Sequence, residues 1–93
     1  MIVGTAAVDL FLPACGSLKA KRRIVKGLRE RVRRKYNVSV AEVDYLDKWQ
    51  RATLGIAVVT NDTRFADRVL AGVIREIERD PTLDVLSVSV EMR

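Results

Sequence analysis

Ten Lys and Arg residues crowd the segment from Ser17 to Tyr36 against a single acid, Glu30. They are Lys19, Lys21, Arg22, Arg23, Lys26, Arg29, Arg31, Arg33, Arg34 and Lys35, a local net charge of +9. The other residues hold seven bases and eleven acids, a net −4, so the formal +5 of the chain conceals a slightly acidic body carrying one intensely basic element. Cations repeated along one face suit a polyanion, because phosphates repeat along a nucleic-acid backbone and each one neutralised releases condensed counterions. RNA or DNA is therefore the first partner class. A solvated arginine-rich face without a specific role is the plainer reading, and an anionic membrane surface is disfavoured because the apolar side of the same element is needed for the core.

Other groups with chemical potential are fewer. Ser17 opens the basic segment, and with the free N–H groups of a helix start and Lys19, Lys21 and Arg22 it could hold one phosphate-like anion; serine is equally an ordinary N-cap. The segment Asp44 to Arg51 contains Tyr45, the only Trp (Trp49), Gln50 and Arg51. These could stack on a base and bond its edge, or cover an open end of the core or a subunit contact. The chain has no His, so the usual acid/base and metal ligand is missing. Cys15 is the only thiol and has no evident base, and Asp44, Asp47 and Asp62 lack a recognised metal spacing. No phosphate-binding glycine loop is present. An enzyme is disfavoured, and neither a cofactor nor a metal is expected.

Positioning these residues requires a fold, and the apolar pattern gives one. Ile2 to Leu12 alternates, with Ile2, Ala6, Val8, Leu10 and Leu12 on one side, which predicts a strand. After Pro13 to Gly16, a helix from Ser17 to Tyr36 gathers Leu18, Ile24, Val25, Leu28, Val32 and Tyr36 on a buried arc. Lys19, Arg22, Arg23, Lys26, Arg29, Arg33 and Arg34 share the opposite arc. Lys21 alone falls inside the apolar arc, where it needs a route to solvent or to an anion. Asn37 is the expected C-cap, Val38 to Val43 a short strand, Tyr45 to Gln50 a connection, and Arg51 to Thr60 a strand with Ala52, Leu54, Ile56 and Val58 inward.

Asn61, Asp62 and Thr63 cap a second helix, on which Phe65, Ala66, Val69, Leu70, Val73, Ile74 and Ile77 are spaced for burial; Asp80 and Pro81 end it. Leu86, Val88, Val90 and Met92 alternate along a last strand. The order β-α-β-β-α-β predicts one α+β domain over residues 1–93: a ferredoxin-like sandwich, a four-stranded antiparallel sheet with two helices on one face. The other face would show Val3, Thr5, Ala7, Phe11, Thr53, Ala57, Val59, Val85, Ser87 and Ser89. It lacks the base-stacking aromatics of RNA-recognition motifs, and a smooth, partly apolar face points to sheet-on-sheet or edge pairing in a homodimer. No apolar run is long enough to span a bilayer, and the first residues lack the basic start of a secretory signal; with one cysteine, a reducing cytoplasm is the expected compartment.

The chain also resembles the YlxP-like bacterial proteins of unknown function. The likeness covers nearly the full length and rests on Met1-Ile2-Val3-Gly4, Leu12-Pro13 followed by Ser17-Leu18-Lys19-Ala20-Lys21-Arg22-Arg23, Asn37 to Asp44, Trp49-Gln50-Arg51-Ala52, Leu54-Gly55-Ile56-Ala57, and Asn61-Asp62. It implies a ferredoxin-like fold and brings no activity. Genes of the family often lie beside those for translation initiation and ribosome maturation, an association that points toward the ribosome or RNA. Cys15 lies in the stretch that varies. The expectation is thus a non-catalytic, ribosome-associated RNA-binding module acting through Ser17, Lys19, Lys21, Arg22, Arg23, Lys26, Arg29 and Arg33. The alternatives are a homodimeric module meeting an acidic protein, and a small anion-binding enzyme or sensor.

Overall fold

Alternating apolar residues place β1, Ile2–Phe11, at the centre of the molecule, with Ala6, Val8 and Leu10 buried and Ala7 between them exposed. The computed structural model describes all residues from Met1 to Arg93. The remaining elements are α1 (Leu18–Lys35), β2 (Ser39–Asp44), β3 (Arg51–Thr60), α2 (Thr63–Glu78) and β4 (Asp84–Met92). They build one antiparallel sheet in the order β2-β3-β1-β4, a ferredoxin-like fold. The helices lie on one face: α1 packs over β2 and against α2, and α2 packs over β3 and β1 and reaches β4.

Eighteen buried apolar residues form a single cluster between sheet and helices, drawing Ala52, Leu54, Ile56 and Val58 from β3, Val25, Leu28 and Val32 from α1, and Ala66, Leu70, Val73 and Ile77 from α2. Two glycines let these layers close. A Cβ on Gly72 would lie 2.5 Å from the Tyr36 hydroxyl, and one on Gly4 would meet Ala66, Leu70 and Met92 at 3.2 Å.

Several expectations are corrected. Tyr36, with extended backbone, is the C-cap of α1 in place of Asn37. The second strand runs one residue later than Val38 to Val43, and Tyr45 after it adopts a positive φ of 60°. Phe65 is exposed, because one residue before Ala66 it falls about 100° round the helix from the buried stripe of Ala66, Leu70, Val73 and Ile77. In β4 the register against β1 shifts between Asp9 and Leu10, a bulge at Leu86. Val85 then stands opposite Leu10 and packs on the core, so it does not belong to the open face. Val88 and Val90 pair with Val8 and Ala6 and so share the helix side, yet they remain 40% and 43% exposed because α2 lies mainly over β1 and β3 and covers this outermost strand only in part.

Candidate nucleic-acid interface

Ser17 starts α1 as the sequence requires: its backbone is extended, and its Oγ accepts a hydrogen bond of 3.0 Å from the Ala20 N–H. One lone pair is thereby committed to the cap, while the O–H can still donate. The four cations of the first two turns, Lys19, Lys21, Arg22 and Arg23, are then set against the positive end of the helix dipole. Each same-sign pair at i, i+4, such as Arg22 with Lys26, costs the helix about 0.2–0.5 kcal/mol. Burial of Val25, Leu28 and Val32 offsets this.

Lys21 finds its anion inside the molecule. It is fully buried, and its Nζ lies 2.8 Å from a Glu42 carboxylate oxygen while donating to the carbonyls of Tyr45 (2.7 Å), Arg51 (3.2 Å) and Leu46 (3.4 Å). The Glu42 oxygen that faces it has no other hydrogen bond. An ammonium so enclosed cannot meet an external phosphate, which removes Lys21 from the anticipated contacts. Its work is positional: it ties the first turn of α1 to the β2–β3 connection. Alternation places Val40 and Glu42 on the helix side of β2, so two misplaced charges of opposite sign were the signal for this pair.

The outer cations divide into neutralised and unpaired sets. Toward α2, Arg31 pairs with Asp80 and Lys35 with Glu76, and Arg34 lies 4.0 Å from Glu30 within α1. The partners show the effect. The hydrogen bond from Lys35 holds the Glu76 carboxyl below its ordinary value; for Asp80, burial pushes upward but hydrogen bonds from Thr82 and Arg31 outweigh it. Lys19, Arg22, Arg23, Lys26 and Arg29 form no ion pair, and Arg33 donates only to the Val40 carbonyl, at 3.1 Å. Arg22, Lys26 and Arg29 line a groove of about 220 Å³ between α1 and β2, closed on one side by Glu42. The Arg29 Nε there is buried without a hydrogen-bond partner. Arg23 lies on the other shoulder of α1, in a groove with Arg31, Glu76 and Asp80.

The Tyr45 to Arg51 segment sits at the same end of the molecule as the start of α1. Besides Lys21, Gln50 fixes it there, donating its side-chain amide to the Pro13 carbonyl at 2.9 Å and accepting from the Leu12 N–H through its own carbonyl. The Arg51 guanidinium covers the Tyr45 ring at 4.4 Å from its centroid. Tyr45, Gln50 and Arg51 are therefore engaged within the chain, and Trp49, 54% exposed, is the aromatic left facing solvent.

Remaining candidates have local duties. Asp62 accepts from the Arg64 and Phe65 N–H groups as the N-cap of α2, Asp44 accepts from the Tyr45 N–H, and Cys15 is a buried loop residue. One cluster escaped the sequence reading. On the open sheet face Asp9 accepts from Thr53 and Ser87 on the two flanking strands, and these hydrogen bonds, Thr53 first, hold its carboxyl below the usual value. The pairs are side-by-side in register, a relation that only the strand order reveals. A fixed anion there, among small residues such as Ala7, Gly55 and Ala41, makes this face a poor platform for RNA.

Fold and surface together define a small ferredoxin-like α+β protein with one unpaired cationic helix face. Two de novo designed proteins share the architecture. A designed ferredoxin fold, LFR1 1, solved by solution NMR, superposes with a TM-score of 0.63 at 20% identity, over 98% of this chain and 86% of that one. The designed protein Foldit4 does so with a TM-score of 0.56 at 20% identity, over 100% and 97%. Residues 3–90 match the family described as "Protein of unknown function (DUF503)". The chain is 35% identical over 83 residues to "Uncharacterized protein YlxP" of Bacillus subtilis (strain 168), covering 89% of this chain and 90% of the relative. It belongs to this YlxP-like family of unknown function.

Proposed function

We propose that the protein is a non-catalytic RNA-binding module of the cytoplasm, associated with the ribosome, that grips the phosphate backbone through α1. The observation that carries this reading is the sorting of charge on the helix. Acids neutralise Arg31 and Lys35 on the seam with α2, whereas Lys19, Arg22, Arg23, Lys26 and Arg29 form no ion pair. Arg22, Lys26 and Arg29, joined by Arg33 one turn on, form the row along the β2 flank. Arg29 shares the groove with Arg22 and Lys26, and none of the three is spent on an acid. Ser17 adds one hydroxyl donor at the start of the row. Trp49 supplies a face on which a base of the same strand can stack.

The test is the triple variant Arg22→Glu, Arg23→Glu, Lys26→Glu, with fold monitored by circular dichroism and binding to single-stranded RNA by fluorescence anisotropy. All three side chains are exposed, so the fold should persist while affinity falls about a hundredfold. Unchanged affinity in a folded variant would refute the proposal. Co-purification of an acidic protein that survives nuclease would replace RNA with the protein-partner reading.

A further inference from the structure

The two edges of the sheet are finished differently. The free edge of β2 is short and obstructed: Arg33 already donates to its Val40 carbonyl, its register shifts between Glu42 and Asp44, and the Lys21–Glu42 pair lies against it. The free edge of β4 has none of these devices beyond its bulge. Its nine residues contain no Lys, Arg or Pro, and no charge of either sign lies between Val85 and Val90.

Which groups of β4 face outward follows from one bond pair. Val3 and Arg93 exchange both hydrogen bonds, Val3 N–H to the Arg93 carbonyl at 2.8 Å and Arg93 N–H to the Val3 carbonyl at 2.9 Å. In an antiparallel ladder such pairs alternate, so Glu91, Ser89 and Ser87 direct their N–H and C=O groups at β1. Val88, Val90 and Met92 direct theirs at solvent. Val88 and Val90 also show exposed apolar side chains on the helix side, with Leu86 next to them at 52% exposure, while Met92 packs against the core. Unpaired backbone and uncovered apolar surface thus coincide on one strip.

We infer that this strip is the interface for a second copy of the chain, which adds its own β4 in antiparallel register centred on Ser89. That register sets Val88 opposite the partner's Val90 on the helix side, and Leu86 opposite the partner's Met92. The two Val88–Val90 pairs alone close about four backbone hydrogen bonds. Because a twofold axis normal to the sheet keeps the helices on one side, the apolar strip of both copies comes to lie between their two α2 helices, which roof what one α2 leaves open.

Charge permits this partner. The helix bordering the interface, α2, carries three bases and three acids, a net zero, while the basic α1 lies at the opposite edge. Seven strand spacings separate the two β2 strands of the paired sheet, about 34 Å at ~4.8 Å each. That is several times the screening length of about 8 Å at physiological salt, so the two basic helices scarcely repel. The assembly presents two identical cationic faces at its far ends.

The experiment combines sedimentation equilibrium of the full chain at increasing micromolar concentration with amide hydrogen exchange. The wild type should approach twice the chain mass, and its Val88 and Val90 amides should be protected at least about tenfold more at high concentration than at low. Val88→Lys and Val90→Lys, both at exposed positions, should keep the circular dichroism of the wild type, sediment as single chains and lose that protection. Ser87 and Ser89, bonded to β1, should stay protected throughout. A wild type that remains a single chain would overturn the proposal and leave the edge to an extended segment of another protein. So would a dimer that survives both substitutions, or one in which the Val88 and Val90 amides exchange freely.

Discussion

The β2–α1 flank and the β4–α2 flank use the same sheet face and the same kind of helix, yet one gathers charge and the other sheds it. Helix α1 holds ten bases and one acid; α2 holds three of each. Both edge strands carry a bulge, but the one under α1 is short and bonded by side chains, whereas the one beyond α2 is longer and its outer backbone is bare. The fold needs neither asymmetry: burial of about one apolar arc per helix suffices for both. The surplus features, unpaired cations on one side and unpaired backbone on the other, are therefore the parts to assign to partners.

The largest disturbance to the charged flank comes from its one buried cation. Lys21→Met strands the Glu42 carboxylate and three carbonyls, and should lower stability by about 3–5 kcal/mol, measured by denaturant unfolding. A loss under about 1 kcal/mol would mean that the hub does not anchor the hairpin. Gly72→Ala attacks the seam where the flanks meet, since the new methyl would lie 2.5 Å from the Tyr36 hydroxyl; about 1–3 kcal/mol should be lost.

Acid should act on the same seam, through Glu76 and Asp80, and on the open sheet face, through Asp9. The carboxyls of Asp9, Glu76 and Asp80 sit lower in the folded chain than unfolded, so their contribution is present above the unfolded values near ~4 and is lost as pH falls through the lower, folded ones. Melting temperature should hold at neutral pH and decline below about pH 4; a rise there would reverse the assigned signs. On the bare flank the effect on the single chain is smallest. Val88→Lys should change unfolding free energy by no more than about 0.5 kcal/mol while abolishing self-association.

Periodicity made most of the architecture legible before any coordinates. The alternation of Ala6, Val8 and Leu10, and of Ala52 to Val58, encodes two central strands, and the spacing of Ala66, Leu70, Val73 and Ile77 marks the buried stripe of a helix. The bulge at Leu86 was not legible, because an inserted residue leaves the composition of β4 unchanged while moving Val85 from one face to the other. Phe65 misled for a different reason: its i, i+4 spacing to Val69 extends the apolar arc, but it lies beyond the margin of the Ala66, Leu70, Val73 and Ile77 stripe that the core covers.

For the candidate interface, the basic helix itself was legible as a count of charges. Which charges are spent was not. Arg31 and Lys35 meet Asp80 and Glu76 across 49 and 41 residues of chain, and Arg33 reaches a strand carbonyl; such pairings depend on how α1 lies beside α2 and β2. Lys21 shows the limit most clearly. Its position on the apolar arc announced that it needed an anion, but only the register of β2 identified that anion as Glu42.

Whether the unpaired cations of α1 neutralise phosphates is measured most directly by the salt dependence of affinity for single-stranded RNA. Six contacts, from Lys19, Arg22, Arg23, Lys26, Arg29 and Arg33, predict that log affinity falls against log salt concentration with a slope near about −4. The folded triple Glu variant should show a slope of about −2 or shallower. A slope near zero for the wild type, or the same slope for both proteins, would contradict phosphate binding by this helix.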